Sequence, residues 1–336
     1  MARRAGVSVA TVSRVQRRSA PVRERTRRRV EDAIAELRYT PSRLGRSLAE
    51  RRHAALGIVF PDLSGPYFSE VIHGFELAAA DAEHGVLILS THGREAAAER
   101  VGDLATRVDG LLVLGRTVPD SVIERLRATG VPVVLLARPS VAGADSVRAE
   151  NSTAAEQLAG HLIARHGHRR IAFLGDPDGS PDGAERWAGF VAAHRAVGSE
   201  PYAGPIRSSY REREGFAAAH AALQDPEPPT ALFCANDEIA LGAYAAAQER
   251  GLRIGRRLAI TGWDDIALAR HVSPPLTTVE QPMRELGMRG ARVLERRIRE
   301  RKSGVPPGAP VEEVLGTRLV IRASCGCRRS QGGTAQ

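Results

Sequence analysis

From residue 55 onward the chain repeats one phrase: a short apolar run, a helix-length segment, then a glycine or proline stop. The runs fall at 56–60, 86–89, 110–114 and 131–136, and again at 171–175, 231–234 and 258–262. They are continuous rather than alternating, the mark of parallel strands buried on both faces. Helical segments at 68–84, 95–107, 120–129, 152–166, 183–197 and 237–250 separate them, and Gly85, Gly130 and Gly251 stand where three of these should stop. Alternation of this kind specifies an α/β fold with a doubly wound parallel sheet. The phrase occurs in two similar halves, with crossings expected near 140–150 and 275–282. Two hinged lobes follow, with a ligand site beyond the carboxyl ends of the strands.

Ahead of this body lies a segment of different chemistry. Ala5-Gly6-Val7-Ser8-Val9-Ala10-Thr11-Val12-Ser13-Arg14-Val15 reads as the turn and second helix of a helix-turn-helix. Gly6 can take the left-handed conformation that ends one helix, and Ser8 can cap the next. Val12 and Val15 share an inward face, with Val7 at the turn. Val9, Ala10, Thr11, Ser13 and Arg14 are left at the outward face or the helix start, where a groove-inserted helix meets DNA. Met1 to Ala5 supply only about one turn before Gly6. A third helix is expected at 23–38, with Val30, Ala33, Ile34 and Leu37 inward. Tyr39-Thr40-Pro41 ends it, and a short amphipathic helix follows through Arg43 and Leu48. Leu48 is either a packing residue or a wedge for a base step.

Charge sharpens the division. The chain of 336 residues carries +9 overall, but residues 1–53 hold fifteen arginines against five acids, a balance of +10 that leaves −1 for the remainder. A basic head on a near-neutral body is the footprint of a phosphate-binding module. No apolar run of about 18 residues exists, so no membrane span is expected, and the arginine-rich start has no apolar core for a secretory signal; a cytoplasmic protein is expected. Three cysteines make no disulfide framework. Cys234 sits in an apolar strand, and Cys325-Gly326-Cys327 offers two thiols rather than a four-ligand set, so no metal or cofactor is expected. His166 and His168 read as cations favoured at a helix end. Walker A, H-E-x-x-H and G-x-S-x-G motifs are all missing, and no catalytic constellation is visible.

The chain resembles the LacI/GalR family of bacterial transcriptional regulators over nearly its whole length. The resemblance is carried by Ala5-Gly6-Val7-Ser8 with Thr11-Val12-Ser13-Arg14-Val15, by Pro41 to Leu48, and by Pro61-Asp62-Leu63-Ser64-Gly65-Pro66-Tyr67-Phe68. Gly167-His168-Arg169-Arg170-Ile171, Arg186-Trp187-Ala188-Gly189-Phe190, Asn236-Asp237, Gly262-Trp263-Asp264-Asp265 and Pro275-Leu276-Thr277-Thr278-Val279 complete it. It implies a headpiece at 1–40 with a truncated first helix, a hinge helix and linker at 41–54, a two-lobed effector-binding and dimerisation domain at 55–323, and a polar, frayed tail at 324–336. It also implies a homodimer on a near-palindromic double-stranded operator, acting as a repressor rather than an enzyme. By position, Val9, Ala10 and Arg14 face bases, and only Arg14 can make a bidentate contact to guanine. Thr11 and Ser13 suit phosphates, Ser8 and Arg43 join the DNA-facing set, and Leu48 matches the hinge leucine of the minor groove. Gly45 stands where the family's hinge usually has alanine, which lowers helix propensity by about 1 kcal/mol.

The resemblance also places a small-molecule site between the lobes. Tyr67 and Phe68 offer rings for stacking or for lobe packing. Arg186 can hold two oxygens, and Asp264 suits paired hydroxyls. Asn236 follows a strand end, Tyr210 matches an aromatic wall, and Asn151 stands where the family often has Asp-Asn. Trp263 reads as core, and Asp237 and Asp265 as caps or solvated acids. Carboxylate, arginine and aromatics fit a sugar or sugar phosphate first, and also a nucleoside or purine. The competing readings are a solute-binding or sensor protein of the same fold without effective DNA binding, and a two-lobed carbohydrate enzyme.

Overall fold

The computed structural model describes residues 1–17, 21–37, 53–91, 95–141, 143–304, 306 and 308–327. Residues Met1–His53 and Ala54–Gln336 form two separate compact units. Arg43 and Leu48 lie outside the described residues, as does most of the expected hinge.

In the first unit, α1 (Ala2–Ala5), α2 (Val9–Arg17) and α3 (Glu24–Glu36) enclose a small core of Ala5, Val12, Val30 and Ala33. Val7, Val15 and Ile34 pack against it. Gly6 ends α1 with φ 61° and ψ 39°, a backbone that side chains with a Cβ rarely adopt. Ser8 Oγ accepts a hydrogen bond from the Thr11 N–H at 3.1 Å and so caps α2. Arg4 donates to both oxygens of Glu36, at 2.9 and 2.6 Å, and ties α1 to α3. Leu37, expected inward, is instead 48% exposed: α3 stops at Glu36, so Leu37 is a C-cap beyond its last turn.

The second unit consists of two lobes. The first is a six-stranded sheet of β1 (Ala55–Phe60), β2 (Gly85–Ser90), β3 (Gly110–Leu114), β4 (Val133–Leu136), β5 (Asp145–Ala149) and β10 (Glu312–Leu315), in the order β10-β5-β4-β3-β1-β2. All of its pairings are parallel. Its residues alternate between two cores. Leu56, Ile58, Phe60, Leu112 and Leu114 pack under α4 (Pro66–Asp81) and α11 (Met283–Lys302). Val59, Leu111 and Val113 pack under α5 (Ala97–Ala105) and α6 (Asp120–Ala128). The second lobe sets β6 (Ile171–Leu174), β7 (Ala231–Cys234) and β8 (Ala259–Thr261) in a parallel sheet. Around it lie α7 (Ser152–Gly160), α8 (Pro181–Ala196), α9 (Glu212–Ala222) and α10 (Asp237–Glu249). An antiparallel ribbon of β9 (Thr278–Glu280) and β11 (Arg318–Val320) completes it.

Five features depart from the sequence reading. Residues 145–149, expected as a connection, are the strand β5, and β10 pairs with it. The helices α9 and α11 and the β9–β11 ribbon were not anticipated. The stop of α4 comes at Asp81, with Glu83 rather than Gly85 taking positive φ, at 57°. The chain crosses between lobes three times, after β5, after β9 and between β10 and β11, rather than twice. Of the segment after Arg322, the described residues 323–327 are not frayed: Ser324 is fully buried, donating to Ile260 O at 2.6 Å and accepting from the Thr277 N–H at 2.8 Å. Among the described residues no helix is long and apolar enough to cross a membrane.

Candidate functional site

The two lobes enclose a cavity of about 330 Å³. Its second-lobe wall begins with α8. Ser180 caps that helix through Gly183 N–H at 3.3 Å and Pro181 occupies its first turn, so α8 starts close beyond the end of β6. The i,i+4 pair Asp182 and Arg186 therefore projects to one side. Arg186 is only 3% exposed and is held on several sides. It donates to Asn151 Oδ1 at 2.8 Å and to Ala235 O at 2.7 Å, approaches Asp182 at 3.7 Å, and lies 4.6 Å over the ring of Trp263. These contacts fix the guanidinium before any ligand arrives.

Asp264 enters from the end of β8. Its φ of 114° is unusual for a residue with a side chain, and strain of this kind collects at functional sites. The Asp264 N–H donates to Val279 O at 2.8 Å, and its Oδ1 accepts from Gln281 Nε2 at 2.5 Å. Burial pushes its pKa up to about 7, against the pull of Arg186. Burial likewise raises Asp182 to about 6. Across the cavity Tyr67 and Phe68, in the first turn of α4, meet edge to face at 5.5 Å. The Tyr67 hydroxyl is buried with no hydrogen-bond partner among the described residues. Burial raises its pKa, and the Asp182 and Asp264 carboxylates raise it further.

The cavity thus gathers Tyr67, Phe68, Arg186, Tyr210, Asn236 and Asp264 along one wall or the other. Asn236 is also the N-cap of α10, accepting from Ile239 N–H at 2.9 Å and donating to Tyr210 O at 3.2 Å. Asn151 is different: it does not line the cavity but sits fully buried behind it, bonded to Arg186 and, at 3.1 Å, to Asp182. Trp263 is core, beneath Arg186. Asp237 is not solvated and is not the cap. It is buried at the start of α10, accepting from Thr278 Oγ1 at 2.6 Å and Ile266 N–H at 2.9 Å, and burial raises its pKa well above the usual range. Asp265 pairs with Arg322 at 2.7 Å. Sequence reasoning missed Asp182 and Gln281. The first was legible as the i,i+4 partner of Arg186; the second lies just past β9 and carried no local signal.

Residues with charge are unevenly distributed here. Asp176, Asp182, Glu238 and Asp264 line the cavity against Arg116 and Arg186. Contacts between the lobes guard its edge: Arg211 pairs with Asp62, and Arg116 Nη1 reaches Asp178 O at 3.5 Å.

In the first unit α2 presents Val9, 75% exposed, with Ala10 and Arg14 also exposed. Ser8 is exposed while Thr11 and Ser13 are half-buried, and the Ser8 and Thr11 hydroxyls hydrogen-bond at 2.9 Å.

A helix-turn-helix unit joined in one chain to a two-lobed ligand-binding domain defines a ligand-controlled transcriptional regulator. Residues 1–42 match the model of the bacterial regulatory proteins of the lacI family, and residues 159–325 match a periplasmic binding protein-like domain. The HTH-type transcriptional repressor CytR of Escherichia coli (strain K12) is 34% identical over 332 residues, covering 96% of this chain and 94% of that protein. The lac repressor dimer solved on operator with an anti-inducer is 30% identical, covers 96% of this chain and 97% of that one, and superposes with a TM-score of 0.84. A transcriptional regulator CelR–cellobiose complex is also 30% identical, covers 96% and 98%, and gives a TM-score of 0.72. The chain belongs to the LacI family of bacterial regulatory proteins.

Proposed function

We propose that this regulator is a cytoplasmic, homodimeric repressor whose operator affinity is set by a neutral polyhydroxylated effector, a sugar or a nucleoside, bound between its lobes without being chemically altered. The observation that carries the reading is the buried Arg186–Asp264 pair facing aromatic rings across an interlobe cavity. Hydroxyl groups can accept from the guanidinium and donate to the carboxylate, while ring faces stack on Tyr67 and Phe68. The surplus of carboxylates over arginines disfavours phosphorylated ligands. The cellobiose complex of a relative supports a sugar, and the operator-bound lac repressor dimer supports the dimer and the DNA. Ligand bridging the lobes would favour the state in which Arg211–Asp62 and Arg116–Asp178 close, and this differential affinity couples the cavity to DNA. In calorimetric titrations neutral sugars or nucleosides should bind and their phosphorylated counterparts should bind at least about tenfold more weakly. Binding confined to phosphorylated ligands would overturn the assignment.

On DNA, α2 lies in the major groove with Val9, Ala10 and Arg14 toward base edges and Ser8, Thr11 and Ser13 toward phosphates. The DNA-facing role of Arg43 and the minor-groove role of Leu48 rest on the family resemblance. Arg14→Ala should cost about 1–3 kcal/mol at one base pair per half-site and relax preference there. Anisotropy against a set of single-base operator variants reads this directly, and an unchanged preference removes Arg14 from base readout. The same titration should weaken steeply as salt rises.

A further inference from the structure

Away from the cavity, the second lobe gathers four metal-binding side chains: His161, His166, Cys325 and Cys327, whose ligand atoms all lie within 4.8 Å of one another. None of them lines the effector cavity. The His161 and His166 Nε2 atoms are 3.2 Å apart. Cys325 Sγ lies 3.5 Å and Cys327 Sγ 3.6 Å from His161 Nε2, and Cys327 Sγ lies 3.3 Å from His166 Nε2. A tetrahedral zinc ion with its usual bond lengths would space its ligands about 3.3 Å apart for two nitrogens and about 3.6 Å for nitrogen and sulfur. Four of the six edges of such a tetrahedron already stand near those lengths, and every pair of the four atoms lies within 4.8 Å. We propose that His161, His166, Cys325 and Cys327 bind one Zn²⁺ ion, a closed structural site that ties the segment after β11 to α7.

Backbone geometry supports the grouping independently. In an α-helix residues five apart point about 140° away from each other. Here α7 continues into a π-helical turn, His161–Arg165, whose i→i+5 spacing brings His161 and His166 to one side. On the opposing segment Gly326 has φ 103°. A Cβ there would press on Gly255 O at 3.2 Å and His166 Nδ1 at 3.3 Å. Glycine between the cysteines lets both sulfurs turn toward the imidazoles. All three cysteines of the chain are free thiols. Two nitrogens and two sulfurs select zinc over the hard cations, and four protein ligands leave no open position for catalysis. The two-thiol motif looks insufficient in the sequence because its partners lie some 160 residues upstream.

The test uses the full chain without a histidine tag. Atomic emission should find one zinc per chain after purification. Co²⁺ exchange should give the intense visible bands of tetrahedral thiolate coordination. Cys327→Ser, at the partly exposed sulfur, should lose the metal and the cobalt spectrum while circular dichroism and effector binding persist. His161→Ala should do the same. A wild-type chain that holds no zinc and gives no tetrahedral cobalt spectrum overturns the proposal, as does a Cys325–Cys327 disulfide in the freshly purified protein or a Cys327→Ser variant that keeps its full zinc content.

Discussion

Arg186→Ala should abolish measurable effector binding and destabilise the second lobe by about 3–5 kcal/mol, the usual cost of removing one member of a buried charge cluster. Arg186 is 3% exposed and supplies the positive charge between Asp182 and Asp264. Without it Asn151 Oδ1 and Ala235 O lose their donor, and a cavity opens above Trp263. The loss should depend on pH. Both carboxyls are already shifted upward, and removing the guanidinium shifts them further, so the variant suffers most above pH 7, where both would have to ionise unpartnered. At pH 5 the two are protonated and the deficit shrinks. Denaturant unfolding of both proteins at pH 5 and pH 8 reads the difference. A pH-independent deficit would show that Arg186 acts through packing alone. Arg186→Lys should rescue little, because a point ammonium cannot hold Asn151 and Ala235 together.

Asp264→Asn should separate stability from binding. The folded pKa of about 7 lies above the ordinary carboxyl value. The folded protein therefore binds the extra proton, and stability that is fully present below the ordinary value is lost as pH rises through 7. Asparagine mimics the neutral acid and still accepts from Gln281, so the variant should be more stable than the parent at pH 8 and little different at pH 4. Asp182, raised to about 6, leaves a smaller dependence of the same sign. Binding should move the other way. A ligand hydroxyl loses a charged acceptor, worth about 1.5–3 kcal/mol, so affinity should fall about 10- to 100-fold. Calorimetry at pH 8 checks it. Retained affinity would move the hydroxyl contacts to Asp182.

The contrast between these residues and their neighbours shows what sequence can carry. Asp264 was legible because it follows an apolar strand closely and so stands at a strand's carboxyl end, whereas Arg186 was legible through the motif Arg186-Trp187-Ala188-Gly189-Phe190 and sits inside α8. Asn151 was legible as a site residue but not as a support, since only the packing of α7 against α8 buries it. Gly130 and Gly251 end helices with positive φ as expected, at 80° and 66°, whereas Glu83 takes that role before Gly85. A glycine marks where a left-handed residue is cheap, not where the helix must spend it. The inward face of α11 carries Met283, Leu286, Val293, Leu294 and Ile298 among arginines, so its helical period was legible in the sequence and was passed over. The zinc ligands were illegible for a further reason: a π turn is what aligns the histidines, and its position is not written in hydropathy.

The three crossings between the lobes limit how the effector can be felt. They are not independent threads: the Glu150 N–H donates to Leu315 O at 2.8 Å, Thr317 Oγ1 donates to Glu150 O at 3.1 Å, and β9 is laced to β11. A single strand would let one lobe swivel freely on the other. A laced strip bends about one line and resists torsion, as the spine of a book does. Any ligand that fits between the pages can therefore report only how far they are open.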